Sequence, residues 1–298
     1  HYLFGVPLHW MRDWPTPATL AVHSAQGVTL TCADGLRYAD FCLGDTGAMF
    51  GHSPAPLARA IAEQAAQGLT CMLPSTRSVA VGEGMARVFG LPLWQMALTA
   101  SDANRFVLRW ARAITGRAQL LVFDGCYHGA VDDTLVDLDP ASGATVPRPS
   151  VLGQVHNHHR FTRVVPFNDL TALEAALATG DVACLLAEPA LTNFGLVPPA
   201  EGFWPAAREL CRRHGTLFVM DETHTVSTAL GGYARLHGLE PDLLVVGKAV
   251  AGGLPCAVYG FTQEVAARMT TAKQHAPEGH SGIGTTLAWL SPRHLAGR

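Results

Sequence analysis

Charge is scarce in this chain, and none of it is gathered in one place. Asp, Glu, Lys and Arg make up 15% of 298 residues and leave a net charge of −3. No basic stripe is offered to nucleic acid and no acidic tail is present, so those binding classes are excluded. No apolar run reaches membrane-spanning length and no signal-peptide pattern opens the chain. The seven cysteines (Cys32, Cys42, Cys71, Cys126, Cys184, Cys211 and Cys256) are odd in number and form no C-x-x-C pair. Reduced, mostly buried thiols in a cytoplasmic protein are the expectation. Internal repeats and low-complexity tracts are also absent. The chain begins with His1 rather than Met, so a processed or clipped start is expected.

What is present is an alternation of short apolar runs and helical patterns. Residues 28–42 read as a hairpin turning at Asp34-Gly35. Residues 55–67 read as a helix, with Pro56 in the first turn and Leu57, Ile61 and Ala65 on one face. Further helices are expected at 76–88, 102–115, 169–179 and 203–214. Strands are expected at 95–99, 119–124, 163–166, 182–187, 216–220, 242–246 and 256–261. The polar, proline-punctuated stretch 140–160 reads as a long loop. Continuous apolar strands separated by helices imply an α/β fold, a mostly parallel sheet with helices on both faces. Ligands in such sheets sit beyond the carboxyl ends of the strands.

Lys248 stands at such an end, between the run Leu243-Leu244-Val245-Val246-Gly247 and the small-residue run Ala249-Val250-Ala251-Gly252-Gly253. Partial desolvation lowers an amine's pKa, and a neutral lysine amine forms a Schiff base with a carbonyl. Asp221 ends the apolar run 216–220. An aldehyde-binding lysine and a carboxylate for a ring nitrogen are the pair that pyridoxal phosphate (PLP) demands. The segment Thr99-Ala100-Ser101-Asp102-Ala103-Asn104 joins a strand to a helix, where small residues and unpaired N–H groups suit a phosphate.

Other residues admit two readings. Tyr127 is either an aromatic that lies on the pyridine ring or a turn aromatic packed on its own sheet. Glu188 either supports the ring's phenolic oxygen side, with Asn193, or serves as a buried ion-pair partner. His128 reads as a local structural residue. His224 reads as a residue bonded to Asp221 or lining the cofactor cavity. The run His156-Asn157-His158-His159 has no zinc-ligand spacing and reads as solvated loop histidines, with no metal.

These pieces together resemble the class-III aminotransferases, which are fold-type-I PLP enzymes. The group that contains glutamate-1-semialdehyde 2,1-aminomutase and related amino-acid aminotransferases is the nearest in pattern. The resemblance rests on Gly51-His52-Ser53-Pro54, the loop 99–104, Ala111-Arg112-Ala113-Ile114-Thr115-Gly116-Arg117 and Gly125-Cys126-Tyr127-His128-Gly129. It continues through Glu188-Pro189 with Asn193, Val197-Pro198-Pro199, Asp221-Glu222, the 247–255 segment around Lys248, and Gly284-Thr285-Thr286.

The resemblance implies that Lys248 holds PLP and later moves a substrate proton, while Asp221 keeps the ring nitrogen protonated. It further implies that Ala100 and Ser101 cup the phosphate, Tyr127 stacks on the ring and Asn193 sits near the phenolic oxygen. Thr286 matches a threonine that reaches the phosphate of a partner subunit, so a homodimer is implied. The implied reaction is amino-group transfer on an amino acid or amino ketone with an oxo acid, or an aminomutase reaction on the same scaffold. Three departures stand out: Ala100 for a glycine, Asp102 for a glutamate, and Thr223 for a valine that covers the ring. The pattern also breaks after Leu287. The expected partition is an N-terminal segment at 1–45, a PLP-binding large domain at 46–287 and a divergent tail at 288–298. The C-terminal small domain is expected to be largely missing, and a non-catalytic PLP-binding remnant is the alternative from another class.

Overall fold

The computed structural model describes residues 1–14, 16, 19–69, 73–154, 158–279 and 281–285. The tail expected at 288–298 and His156-Asn157 lie outside the described residues. Strands β1 (Val22–Gln26), β2 (Thr29–Cys32) and β3 (Arg37–Ala39) form a small antiparallel sheet. Its β2–β3 turn is the expected hairpin, with Asp34 Oδ1 accepting the Leu36 N–H at 3.0 Å. Helices α1 (Ala55–Ala65) and α2 (Ser78–Phe89) follow, within two residues of the sequence expectation.

The main sheet has seven strands. In chain order these are β4 (Leu93–Ala97), β5 (Gln119–Phe123), β8 (Thr162–Val165), β9 (Val182–Ala187), β10 (Leu217–Asp221), β11 (Leu243–Val246) and β12 (Ala257–Phe261). Between β5 and β8, β6 (Val136–Leu138) and β7 (Thr145–Pro147) form a separate antiparallel pair. The main order is β4-β12-β11-β10-β9-β5-β8. Four neighbouring pairs are parallel, and β12 is antiparallel to both β11 and β4. One reversed strand in a parallel set makes the sheet mixed. Every residue of β9, β10, β11 and β12 is buried, as expected for strands covered on both faces.

Helix α3 (Ala100–Thr115) lies against β4, β12, β11 and β9, and carries α7 (Gln263–His275) on its other side. Its start is set by Thr99, whose hydroxyl accepts the Asp102 N–H at 3.1 Å and donates to Asp102 Oδ2 at 2.9 Å. Its end is Gly116, left-handed at φ 68°. Helices α4 (Leu170–Leu177) and α5 (Phe203–Arg213) pack together, with α5 on β10, and the short α6 (Gly232–Leu236) precedes β11. An aromatic cluster of Phe123, Phe167, Phe203, Trp204 and Phe218 fills the core at α5. Five of the six described cysteines are buried and all six are free; Cys42 is exposed. No helix among the described residues is long and apolar enough to cross a membrane.

Candidate active site

The carboxyl ends of β4, β5, β9, β10 and β11 meet at one edge of the sheet, together with the start of the reversed β12. A cavity of about 430 Å³ opens there. Ala100 and Ser101 reach it after β4, Tyr127 and His128 after β5, Glu188 after β9, Asp221 from the last position of β10, and Lys248 after β11. Cys256 enters just before β12. Sheet topology therefore assembles residues spread over more than 150 positions of sequence.

Lys248 opens a short 3₁₀ turn, Lys248–Ala251, and holds left-handed backbone at φ 49°. That region is uncommon outside glycine, and such strain tends to sit where structure over-determines it. Its Nζ meets two partners, Asp45 Oδ2 and His224 Nε2. Asp45 comes from a loop after β3 and is itself left-handed at φ 53°. Burial works against the charge on Asp45, but the hydrogen bond and charge of Lys248, with His224, hold its carboxyl below the usual range.

Asp221 is 3% exposed and accepts four donors. Oδ2 takes Asn104 Nδ2 at 2.8 Å and His128 Nδ1 at 2.9 Å; Oδ1 takes the Thr223 N–H at 3.1 Å and its hydroxyl at 2.5 Å. Burial pushes the Asp221 pKa up, but His128, Thr223 and Asn104 outweigh it and the carboxyl stays below the usual range. For His128, burial disfavours the charge, while Cys126 and Asp221 favour it more, and its pKa is raised well above 6.5. Asp221 is thus a buried, anchored carboxylate. The departure Thr223 is explained by its two bonds to it.

The wall beside α3 is kept thin by glycines. A Cβ on Gly129 (φ 82°) would overlap Ser101 Oγ, and one on Gly247 would come within 2.8 Å of the Ala100 Cβ. Ser101 Oγ accepts the Ala130 N–H at 3.0 Å. The first N–H groups of α3 have no intrahelical acceptor and carry the positive end of the dipole, so this corner suits an anion.

Of the residues expected from sequence, Ala100, Ser101, Tyr127, Asp221 and Lys248 line the one cavity. Asn193 is not among its lining residues; its Nδ2 is 3.5 Å from both Glu188 Oε2 and Thr192 Oγ1. Thr286 lies outside the described residues. His224 lines the cavity but bonds Lys248, not Asp221; the histidine on Asp221 is His128, for which a local structural role is the expectation from sequence. Glu188, open between two roles, accepts the Tyr127 N–H and the Thr192 hydroxyl, each at 2.8 Å, from uncharged donors. Asp45, Asn104 and Thr192 were missed. Asn104 carried a signal, since it lies in the strand-to-helix segment already singled out; Asp45 and Thr192 carried none.

Residues 11–287 match the family described as Aminotransferase class-III. The chain belongs to that family. Glutamate-1-semialdehyde 2,1-aminomutase from Sorangium cellulosum is 37% identical to this class-III aminotransferase family member over 252 residues, 83% of this chain and 57% of that protein. The protein of the same name from Neisseria meningitidis serogroup A is 34% identical over 250 residues, 82% of this chain and 58% of that one. The chain therefore spans under three fifths of the length of these curated relatives. Among solved structures, a glutamate-1-semialdehyde-aminomutase from Pseudomonas aeruginosa PAO1 matches with a TM-score of 0.94 at 50% identity, covering 99% of this chain and 67% of that one. A lysine-to-alanine variant of that protein, in complex with PMP, matches at 0.93 over 99% of this chain and 66% of that one. An omega-transaminase from Sphaerobacter thermophilus follows at 0.83 and 26% identity, covering 94% and 66%. The fold implied by the resemblance, that of the fold-type-I PLP enzymes, is the fold observed.

The class-III site has the donor set for a flat, anionic, aldehyde-bearing cofactor. A buried carboxylate faces it from β10, an amine from the turn after β11, and a helix start with thin glycine walls from α3.

Proposed function

We propose that this chain is the cofactor-binding part of an enzyme that uses PLP to move an amino group on an amino acid or amino ketone. One observation carries the reading: Lys248 and Asp221, from the ends of neighbouring strands, line the same cavity as the N-terminus of α3. Bound there, PLP supplies an aldehyde carbon and a ring that draws electrons from it. Lys248 offers the amine that takes the aldehyde. Asp221 holds a proton on the ring nitrogen, and its own anchors keep it ionised for that task. Ser101 and the first N–H groups of α3 hold the phosphate, with Ala100 lending close approach. Tyr127 lies against the ring. Asn193 at the ring's oxygen side, Thr286 at the phosphate of a partner copy, a homodimer and a cytoplasmic location complete the proposal on the family resemblance.

A second reading, an aminomutase acting through the same residues, is favoured by the names of the relatives at 37% and 50% identity. The two differ in cosubstrate, because an aminomutase needs no second amino acceptor. The primary test is reduction with borohydride in the presence of PLP, followed by peptide mapping. The chain has two lysines, Lys248 and Lys273, so the expected result is a phosphopyridoxyl group on Lys248. Label on Lys273 alone, or none, overturns the reading. Incubation with amino ketones with and without an oxo acid then separates transfer from isomerisation.

A further inference from the structure

The hydrogen bonds around His224 run in one direction, and that direction fixes its tautomer. Glu188 is 4% exposed and both of its oxygens are taken by donors, Oε1 by the Tyr127 N–H and Oε2 by the Thr192 hydroxyl. A carboxylate only accepts, so the Thr192 hydroxyl proton points to Glu188. The lone pairs left on Thr192 Oγ1 face His224 Nδ1. Two lone pairs do not bond each other, so Nδ1 carries the proton. A neutral imidazole protonated there has a bare Nε2. That nitrogen faces Lys248 Nζ.

We propose that Glu188, Thr192 and His224 form a relay that takes a proton from Lys248 as its amine attacks an aldehyde. His224 is the acceptor; Thr192 and Glu188 are positioning residues. The inference rests on the PLP reading of the same cavity. The N–H bond of the ammonium breaks, its electron pair stays on Nζ, and the proton goes to Nε2. In the full condensation two of the three ammonium protons end on the aldehyde oxygen, which leaves as water, and the third stays on nitrogen. His224 carries off the first and returns it to that oxygen as water leaves, which restores the neutral imidazole. The resulting imidazolium keeps its Nδ1–H on Thr192, whose own bond ends on an anion, the arrangement that orients and supports a general base.

Asp45 reaches Lys248 Nζ and stands 3.6 Å from His224 Nε2, so it neutralises the positive charge on either partner. Glu188 acts from the opposite side through Thr192. Moving the proton from Lys248 to His224 therefore shifts a charge within one counter-ion's reach.

Two measurements on the 298-residue chain decide this. In ¹⁵N spectra of histidine-labelled protein at pH 8, His224 is expected as the Nδ1–H tautomer. Thr192→Val should turn it to Nε2–H, while Thr192→Ser, which keeps the hydroxyl, should hold it. An Nε2–H tautomer in the wild type overturns the relay whether or not PLP binds. The rate at which PLP and cyanoborohydride trap Lys248 is then measured at pH 8. His224→Gln should slow it by about a hundredfold. Trapping of His224→Gln at the wild-type rate overturns the relay and leaves the PLP reading standing. Failure of the wild type to take any label overturns the PLP reading, and the proton-transfer step with it.

Discussion

His128 Nδ1 lies 2.9 Å from Asp221 Oδ2, and both side chains are buried. The pair joins the loop after β5 to the end of β10 across β9. A buried charge is tolerated only when paired and hydrogen-bonded. Asp221 meets that condition with Asn104 and Thr223 as well. The carboxylate offered to the cavity is therefore held by the protein before any ligand reaches it.

The pair makes stability depend on pH in a stated direction. His128 has a folded pKa raised well above 6.5, so below 6.5 it is protonated in both states and its contribution is fully present. Above 6.5 the unfolded chain gives up this proton while the native chain keeps it. Stability should then fall by about 1.4 kcal/mol per pH unit until the folded pKa is passed. Urea unfolding of wild type and His128→Gln at pH 6 and 8.5 checks this, with the difference between them expected to shrink at the higher pH. A difference independent of pH would mean that folding leaves the His128 pKa unshifted, and one that grows with pH would mean that His128 is neutral in the fold.

Much of the sheet was legible because β5, β9, β10, β11 and β12 are nearly unbroken apolar runs. What failed to show has physical reasons. Strand β1 reads Val-His-Ser-Ala-Gln and none of it is buried, so it carries no apolar pattern. Helix α7 buries only Val265 and Met269, too sparse a stripe to see, although Thr262 caps it by accepting the Val265 N–H. Of the three-residue pair β6–β7, β7 falls inside the loop expected from 140 to 160 and β6 just before it, both too short to show an apolar period. The reversal of β12 is set by the return of the chain after the Lys248 turn, which an apolar run does not encode. In the site, Lys248 and Asp221 announced themselves as polar residues ending apolar strands. Asp45 did not, because it is an ordinary loop aspartate until folding brings it across 203 positions to Lys248.

Thr223→Val should act in opposite directions on the free and the cofactor-bound chain. The hydroxyl donates to Asp221 Oδ1 at 2.5 Å, and a hydrogen bond to a charged group is worth about 1.5–3 kcal/mol. Losing it should lower the unfolding free energy of the free chain by that amount, read as a lower urea midpoint. The same hydroxyl competes with a ring nitrogen for Oδ1, so PLP affinity should hold or rise. Unchanged stability without PLP, or a large loss of PLP affinity, would refute this account of Thr223.

Gly129→Ala tests the wall beside Ser101. The left-handed backbone costs a non-glycine residue about 1–2 kcal/mol, and the new methyl group adds an overlap with Ser101 worth about 1–3 kcal/mol. Ser101 must move, which also breaks its bond to the Ala130 N–H. If this corner holds the phosphate, PLP affinity should fall while affinity for pyridoxal, which lacks the phosphate, stays near wild type. Equal losses for both ligands would place the phosphate elsewhere.

Substitutions at Asp221 separate its structural from its electronic role. Asp221→Ala leaves Asn104, His128 and Thr223 without their acceptor, and breaking a buried pair in this way costs about 3–5 kcal/mol. Asp221→Asn keeps one carbonyl oxygen as acceptor but turns an N–H₂ toward donors that already carry protons, which costs about 1–3 kcal/mol. The urea midpoints should therefore fall in the order wild type, Asn, Ala. Neither variant has the negative charge that keeps a ring nitrogen protonated, so both should lose the absorbance change that amino acids induce with PLP. That loss should be equal in the two variants although their stabilities differ. A spectrum that follows stability rather than charge would reduce Asp221 to an anchor for His128, and an unchanged midpoint in Asp221→Ala would remove even that.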